Sequence, residues 1–159
     1  MIRNRPPIIA VFICIYCMVN SLDLIVTWMH PSQARLGAVA LIIWVTPVVF
    51  YWSLRNRFNE KTKDRPILLG LGLLLSFNGM LGSLNVLEHI GLACAIGALL
   101  PPFPMNLVWL ASSLSWMPAF DWLGGRFFPE YIIAARILIS AIPACYMAHS
   151  IQTRISVNP

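Results

Sequence analysis

Seven polar or ionisable residues lie inside or at the edges of long apolar stretches. They are Asp23, Asn78, Asn85, Glu88, His89, Asp121 and Arg136. An ionisable side chain at the centre of a membrane-spanning helix costs roughly 2.5–3.5 kcal/mol on insertion scales, so such side chains usually face other helices or a water-filled cavity and are paired. The sequence therefore predicts that these seven residues line one cavity, open to the outside and able to hold a polar group of a substrate.

The same residues also have a purely structural interpretation. Asp23 and Arg136 would form an ion pair that fixes helix packing, and neighbouring Glu88 and His89 would end a helix at the membrane interface. The asparagines at 20, 78 and 85 need hydrogen-bond partners wherever they are shielded from water. Both interpretations remain open at this level.

The cysteines and histidines predict neither a disulfide nor a metal site. All four cysteines lie within apolar stretches, where a thiol behaves as a small buried hydrophobic side chain. The segment Cys14-Ile-Tyr-Cys17 has the spacing of a redox motif, but no adjacent Lys, Arg or His is present to stabilise a thiolate. No His or Cys spacing resembles a zinc site. The sequence therefore identifies no catalytic residue, no metal ligand and no cofactor.

The composition places the elements that carry these residues in a lipid environment. Of the 159 residues, 58% are hydrophobic and only 11% are charged, and the mean hydropathy is +0.75. A soluble domain has about 25% charged residues. Little of the chain remains for a soluble catalytic or nucleic-acid-binding domain, so no nucleic acid partner is expected.

The apolar stretches predict an all-α membrane bundle of about six transmembrane helices, forming one integral membrane domain over residues 1–159. A helix needs about 20 residues to cross roughly 30 Å of hydrocarbon. The predicted helices cover about residues 8–28, 36–54, 66–80, 84–100, 105–123 and 129–151.

Residues 66–100 are too long for one span, since a straight helix of that length would extend roughly 52 Å. Gly79, Gly82 and Ser83 favour a break that gives a hairpin of two short helices. The alternative is one span ending near His89, followed by a re-entrant segment, which gives five spans and reverses the orientation of everything after it.

The polar stretch 55–65 predicts the orientation of the chain. It carries Arg55, Arg57, Lys61, Lys63 and Arg65 against two acidic residues. Short loops rich in Lys and Arg remain in the cytoplasm, and the basic N-terminal stub agrees because two spans separate it from this loop. We therefore predict a plasma or inner membrane protein with cytoplasmic N- and C-termini. The five basic residues are predicted to face anionic lipid headgroups, at roughly 1 kcal/mol each near the surface.

Short loops, abundant tryptophan and the lack of a catalytic motif favour a non-catalytic role. We expect an accessory or structural subunit of a larger membrane complex, whose partners are the lipid bilayer and one or more membrane proteins. The alternative is a small transporter or membrane-embedded enzyme that uses the outward-facing polar cavity. Whether the chain is an enzyme therefore stays open.

Overall fold

The computed structural model describes residues 8–29, 35–54, 65–102 and 105–157, and within these ranges the chain is helical with no strand. The prediction of an all-α chain is confirmed for this part of the sequence. The helices are α1 (Ile8–Asn20), α2 (Asp23–Met29), α3 (Arg35–Leu54), α4 (Pro66–Gly82), α5 (Asn85–Gly97), α6 (Asn106–Ala111), α7 (Ala119–Phe127) and α8 (Ile132–Val157). Two short 3₁₀ turns, Ser112–Trp116 and Pro129–Tyr131, precede α7 and α8.

Fewer helices than predicted are long enough to cross a membrane. Leu36–Leu54 and Pro129–Arg154 qualify by length and hydropathy, and α1 with α2 forms a third span if the two are counted as one helix bent by 47°. Helices α4 and α5 are apolar but have only 17 and 13 residues. The described residues therefore contain two to three candidate spans, whereas about six were predicted.

Two of the predicted helices are interrupted. The first, 8–28, is divided at Ser21 and Leu22, where the Leu22 N–H bonds to the Val19 carbonyl in a tighter turn. The fifth, 105–123, changes from α6 to a 3₁₀ turn and then breaks at Met117, whose backbone is extended with ψ 146°. Pro118 favours that break, because its ring disfavours the helical conformation for the preceding residue.

Contacts of α1 show how it runs beside α4 and α5. They join Cys17 to Gly72 and Asn20 to Ser76 on α4, and Cys14 to Ala95 on α5, while Asp23, the first residue of α2, contacts Asn85 of α5. The residue numbers rise together on α1 and α4, so these helices are parallel. On α5 the numbers fall as those of α1 and α2 rise, so α1 and α5 are antiparallel.

Helices α3 and α8 and the segment between residues 106 and 127 form a second group. Between α3 and α8, Gly37 contacts Arg136 and Ala40 contacts Ser140. Between α3 and α6, Trp44 contacts Trp109. Between the segment 106–127 and α8, Ser115 contacts Ser140 and Asp121 contacts Arg136. Helices α3 and α8 are therefore parallel, and the segment 106–127 runs opposite to both.

The two groups meet where α5 packs against α6, with Gly97 beside Trp109, and where α2 approaches the beginning of α3, with the Trp28 indole beside Gly37. Helix α3 thus starts at the end where α2 finishes. The described residues form six helical segments that alternate in direction along the chain: α1 with α2, α3, α4, α5, the segment 106–127, and α8. The described acidic residues, Asp23, Glu88, Asp121 and Glu130, all lie at the end where α2 finishes, which we call the carboxylate end. The opposite end contains Arg65 and Arg154 and is called the arginine end.

Two tryptophans join α3 to α6 in the centre of the core. The Trp44 indole N–H donates to the Trp109 carbonyl at 2.7 Å, and the Trp109 N–H donates to the Trp44 carbonyl at 3.0 Å. Their rings stack with centroids 4.2 Å apart. Both indole N–H groups are buried and paired, so these large side chains supply apolar contact without leaving a polar atom unsatisfied.

Glycines bring α4 and α5 into close contact. A Cβ atom built on Gly91 would lie 2.8 Å from the Gly72 carbonyl oxygen and 2.8 Å from the Ser76 nitrogen. A Cβ atom on Gly72 would meet the Gly91 carbonyl oxygen at 2.9 Å. The backbones can approach this closely only because both residues lack a side chain, as is common where helices pack within membranes.

The turn between α4 and α5 contains Ser83 in the left-handed conformation, with φ 52° and ψ 39°. A residue with a Cβ atom pays roughly 1–2 kcal/mol there, whereas glycine does not. We expect Ser83→Gly to raise the melting temperature in detergent, by the equivalent of about 1 kcal/mol at most. Ser83→Ala is the control, since it keeps the Cβ atom and should give no increase. A lower melting temperature for Ser83→Gly would contradict this prediction.

Candidate functional site

Three of the predicted residues meet at the carboxylate end. The Asn85 amide donates to Asp23 Oδ2 at 2.8 Å, and His89 Nε2 lies 3.1 Å from both carboxylate oxygens of Asp23. The His89 side chain is 2% exposed, whereas that of Asp23 is 31% exposed. The group, which we call the Asp23 cluster, therefore has a buried imidazole behind a carboxylate that is partly open.

Breaks in the helices put the Asp23 cluster in place. Asp23 is the first residue of α2, directly after the bend, and Asn85 is the first residue of α5, directly after the turn that follows α4. Asn85 and His89 are four residues apart, so both side chains lie on one face of α5. The carboxylate of Asp23 also lies at the positive end of the α2 dipole, which stabilises its charge.

The imidazole of His89 has one unsatisfied nitrogen. Its Nδ1 atom is buried and has no hydrogen-bond partner among the described residues. If the Asp23 carboxylate accepts the Nε2 proton, Nδ1 is an acceptor in the neutral ring and a donor in the charged one. A carboxylate-oriented imidazole is one half of a nucleophile-activating arrangement. However, no hydroxyl or thiol among the described residues is hydrogen-bonded to this ring.

Arg136 and Asp121 form a second pair at the same end. The Arg136 guanidinium donates to Asp121 Oδ1 at 2.6 Å, and the side chains are 2% and 28% exposed, respectively. The guanidinium carbon also lies 5.5 Å from the centre of the Phe120 ring. The sequence suggested an ion pair between Asp23 and Arg136, but the structure pairs Asp23 with His89 and Arg136 with Asp121. Each pair joins two different helices.

Glu88 and Asn78 lie apart from these pairs. Glu88 is buried, and its Cγ atom packs where Gly79 of α4 leaves room, so that a Cβ atom on Gly79 would be 2.6 Å away. Asn78 is exposed and donates to the Leu74 carbonyl of its own helix at 2.7 Å. The seven predicted residues are thus distributed over the three-residue Asp23 cluster, the pair of Arg136 with Asp121, and two separate positions at the carboxylate end.

Of the five basic residues predicted to face lipid headgroups, Arg55, Arg57, Lys61 and Lys63 lie outside the described residues. Arg65 precedes α4 and lines a small cavity of about 20 Å³ together with Gly97, Asn106 and Trp109. Burial lowers the pKa of the Arg65 guanidinium, which nevertheless stays charged at neutral pH. The Asn106 Oδ1 atom is buried without a partner among the described residues. This cavity has room for about one water molecule.

Sequence reasoning missed a chain of hydroxyl groups in the core. The Ser140 hydroxyl donates to the Ala40 carbonyl at 2.6 Å, and the single proton of the Ser115 hydroxyl has two acceptors in reach, the Ser112 carbonyl at 2.7 Å and Ser140 Oγ at 3.2 Å. These contacts connect α3, α8 and the 3₁₀ turn Ser112–Trp116. Ser112 and Ser115 are three residues apart and thus share one helical face, and this spacing was the available signal.

The thiols also bond to main-chain carbonyls between helices. Cys14 donates to Ala95 at 3.3 Å and Cys17 to Gly72 at 3.6 Å. Within the described ranges, no group of three His, Cys, Asp or Glu side chains is arranged to hold a metal ion. These two cysteines therefore act as packing residues between α1 and the α4–α5 hairpin.

Two grooves on the lateral surface are apolar. One of about 430 Å³ lies between α6 and α8 and is lined by Val108, Ala111, Ser112, Leu138, Ile139, Ile142 and Pro143. Another of about 380 Å³ follows one face of α3 from Ile42 to Ser53. Neither contains any of the seven polar residues that the sequence placed in one cavity.

No family model, no curated protein and no solved structure matches this chain.

Proposed function

We propose that the chain is an integral membrane protein whose six helical segments are embedded in the bilayer with the arginine end in the cytoplasm. The alternating directions of the segments support this arrangement, because each reversal places consecutive connections at opposite ends. The charges support the orientation, because Lys- and Arg-rich connections remain on the cytoplasmic side. Both termini would then be cytoplasmic, in a plasma or inner membrane.

Within that membrane, we propose a non-catalytic accessory or structural subunit of a larger complex. The observation that carries this proposal is the internal pairing of the ionisable groups: Asp23 with His89 and Asp121 with Arg136. Each pair holds two helices together, and this is a structural role. The lateral surface, by contrast, carries large exposed apolar side chains and apolar grooves, which lipid chains or the helices of a partner protein can cover.

Affinity purification in a mild detergent tests the subunit proposal. The tagged chain should recover a membrane protein in fixed stoichiometry, identified by mass spectrometry, and a harsher detergent should release it. An unrelated membrane protein of similar size with the same tag is the control for non-specific recovery. If the chain runs as a lone monomer and nothing copurifies under mild conditions, the subunit proposal fails.

A second candidate is a small transporter or membrane-embedded enzyme that uses the Asp23 cluster. The buried Nδ1 atom of His89 favours it, because an unsatisfied polar atom beside a partly exposed carboxylate leaves one hydrogen bond for a ligand or a proton. In that case a purified solitary protein should carry a bound polar molecule, and the Asp23 carboxylate should be essential for its uptake or turnover.

Substitutions separate the two candidates. If the Asp23 cluster binds a substrate, Asp23→Asn should abolish binding or turnover of the copurified molecule while leaving the yield of folded protein unchanged. Asn78→Ala is the matched control, because Asn78 bonds only within its own helix and should have no effect on either readout. Arg136→Gln, which breaks a buried pair, is expected to lower the yield. An equal loss of yield for Asp23→Asn would favour the structural role.

A further inference from the structure

We propose that the tip of the α4–α5 hairpin, defined here as Met80–Val86, ends inside the bilayer and is covered by lipid acyl chains of the outer leaflet. The hairpin would then enter from the arginine end and return to it without reaching the opposite surface. This inference rests on the proposed membrane orientation. The inference adds to the proposed orientation a depth in the bilayer and a lipid contact for the hairpin tip.

The helix lengths support a hairpin that stops short. At 1.5 Å per residue, the 17 residues of α4 extend about 25 Å and the 13 residues of α5 about 20 Å. Both are shorter than the hydrocarbon thickness of roughly 30 Å. The 20 residues of α3 extend about 30 Å, which is enough to cross.

The level of the tip relative to α3 agrees with this estimate. Asn85, near the tip, contacts Asp23 at the beginning of α2, whereas Trp28, five residues later, lies beside Gly37 of α3. Because α2 is bent by 47° from α1, those five residues rise about 5 Å along the direction of α1. The backbone of Asp23, which the tip contacts through Asn85, thus lies about 5 Å nearer the arginine end than the backbone of Trp28, whose indole lies beside Gly37 in the first turn of α3.

The composition of the tip suits hydrocarbon rather than water. Leu81 and Leu84 are 67% and 54% exposed, and Met80 and Val86 are exposed as well. No charged residue occurs between Arg65 and Glu88. Ser83 and Asn85 are the polar residues of the tip, and the Asn85 amide is satisfied by Asp23. A turn surrounded by water would leave these four large apolar side chains in contact with solvent.

The α7 segment lies at the same end of the molecule but exposes different kinds of side chain from the hairpin tip. Around α7 the exposed side chains include Trp122 and Tyr131 together with the charged Arg126 and Glu130. Aromatic side chains mixed with charges are typical of the interface between hydrocarbon and water. The α7 segment therefore marks the membrane surface at the carboxylate end, and the hairpin tip lacks these features.

Three glycines allow a matched test of depth by cysteine labelling. Gly70 lies on α4 below the tip, Gly82 lies in the tip, and Gly125 lies on α7. An added Cβ atom would meet nothing within 4 Å at Gly70 and Gly125, and only the side chain of Leu84 at an ordinary 3.5 Å at Gly82. Gly70→Cys, Gly82→Cys and Gly125→Cys should all fold, and unsubstituted protein measures the background from the four native cysteines.

The variants are reconstituted in vesicles and treated with a membrane-impermeant maleimide. We expect Gly125→Cys to react at least about tenfold faster than Gly82→Cys, and Gly82→Cys to react as slowly as Gly70→Cys, because a maleimide attacks the thiolate, which does not form in hydrocarbon. Equal rates for Gly82→Cys and Gly125→Cys would overturn the proposal. Labelling of Gly125→Cys on the wrong face of oriented vesicles would overturn the proposed orientation instead.

A second measurement is independent of orientation and identifies what covers the tip. Gly82→Cys is labelled in detergent with a small membrane-permeant fluorophore and then reconstituted. Nitroxide groups on lipid acyl chains should quench the fluorophore more strongly than a water-soluble nitroxide does. Stronger quenching by the water-soluble reagent would contradict burial of the tip in lipid. Quenching by neither would mean that protein covers the tip, which would equally overturn the proposal.

Discussion

Gly91→Ala is expected to destabilise the protein, although alanine is the better helix former. In an open helical position the exchange of glycine for alanine gains up to about 1 kcal/mol. At Gly91 the new methyl group would lie 2.8 Å from main-chain atoms of Gly72 and Ser76, which cannot rotate away. Separating the two helices to relieve that contact should cost roughly 1–3 kcal/mol, as for other overpacked cores.

Gly70→Ala is the matched comparison, because it lies on α4 with nothing within 4 Å of its added methyl group. It should raise the melting temperature, while Gly91→Ala should lower it, when both are measured by intrinsic fluorescence in the same detergent. The prediction requires that the two substitutions shift the melting temperature in opposite directions. Stabilisation of both variants would contradict the close contact between α4 and α5.

Asp121→Asn is expected to have the largest effect of any single conservative substitution proposed here. It removes the carboxylate that faces the buried Arg136 guanidinium at 2.6 Å. Removing one member of a buried ion pair typically costs 3–5 kcal/mol, because the remaining charge keeps its desolvation penalty. We therefore expect a large fall in melting temperature and in the yield of monodisperse protein by size-exclusion chromatography.

The reciprocal substitution, Arg136→Gln, should lower the free energy of unfolding less than Asp121→Asn does. Arg136→Gln leaves Asp121, whose side chain is 28% exposed and can still be hydrated. The double variant, Asp121→Asn with Arg136→Gln, should be more stable than Asp121→Asn alone, since no buried charge remains, and a double-mutant cycle measures this coupling. Additive losses would show that the pair contributes no coupling energy to the fold.

Hydropathy alone was sufficient to predict the helical structure of the described residues and the position of their clearest span. The predicted helix 36–54 coincides with the candidate span Leu36–Leu54. The break after α4 was also predicted, because Gly79, Gly82 and Ser83 are a local signal, and the structure places the turn at Ser83 and Leu84. A sequence pattern therefore predicts a span or a turn correctly where the residues of that same stretch determine the structure.

The interruptions were harder to predict because they do not change hydropathy. The stretch 8–28 keeps a high mean hydropathy although it contains Asn20, Ser21 and Asp23, so its mean hydropathy does not reveal the bend at Ser21. Pro118 is a local signal for an interruption, because its ring disfavours a helical conformation in the preceding residue, whereas the 3₁₀ turn before it includes Ser115, which contacts Ser140 in α8, 25 residues away. The described residues thus give two to three candidate spans, whereas composition predicted about six.

The pairing of the polar residues depends on contacts between distant parts of the chain. Asp23 and His89 are separated by 66 residues, and their contact requires both the bend after α1 and the turn after α4. The sequence identified these side chains as a set, since each is unusual in an apolar stretch. It contained no information on which carboxylate meets which cation, and the inferred pair of Asp23 with Arg136 was accordingly replaced by two others.

The short turn between α4 and α5 has a consequence for biosynthesis. The two antiparallel helices are joined by two uncharged residues, Ser83 and Leu84, so in the proposed membrane arrangement they would partition from the translocon into lipid as one unit. No ionised loop has to be carried across the hydrocarbon during that step, which would otherwise be a large barrier. A charge introduced at this turn would therefore impair membrane insertion of the nascent chain before it could affect the finished structure.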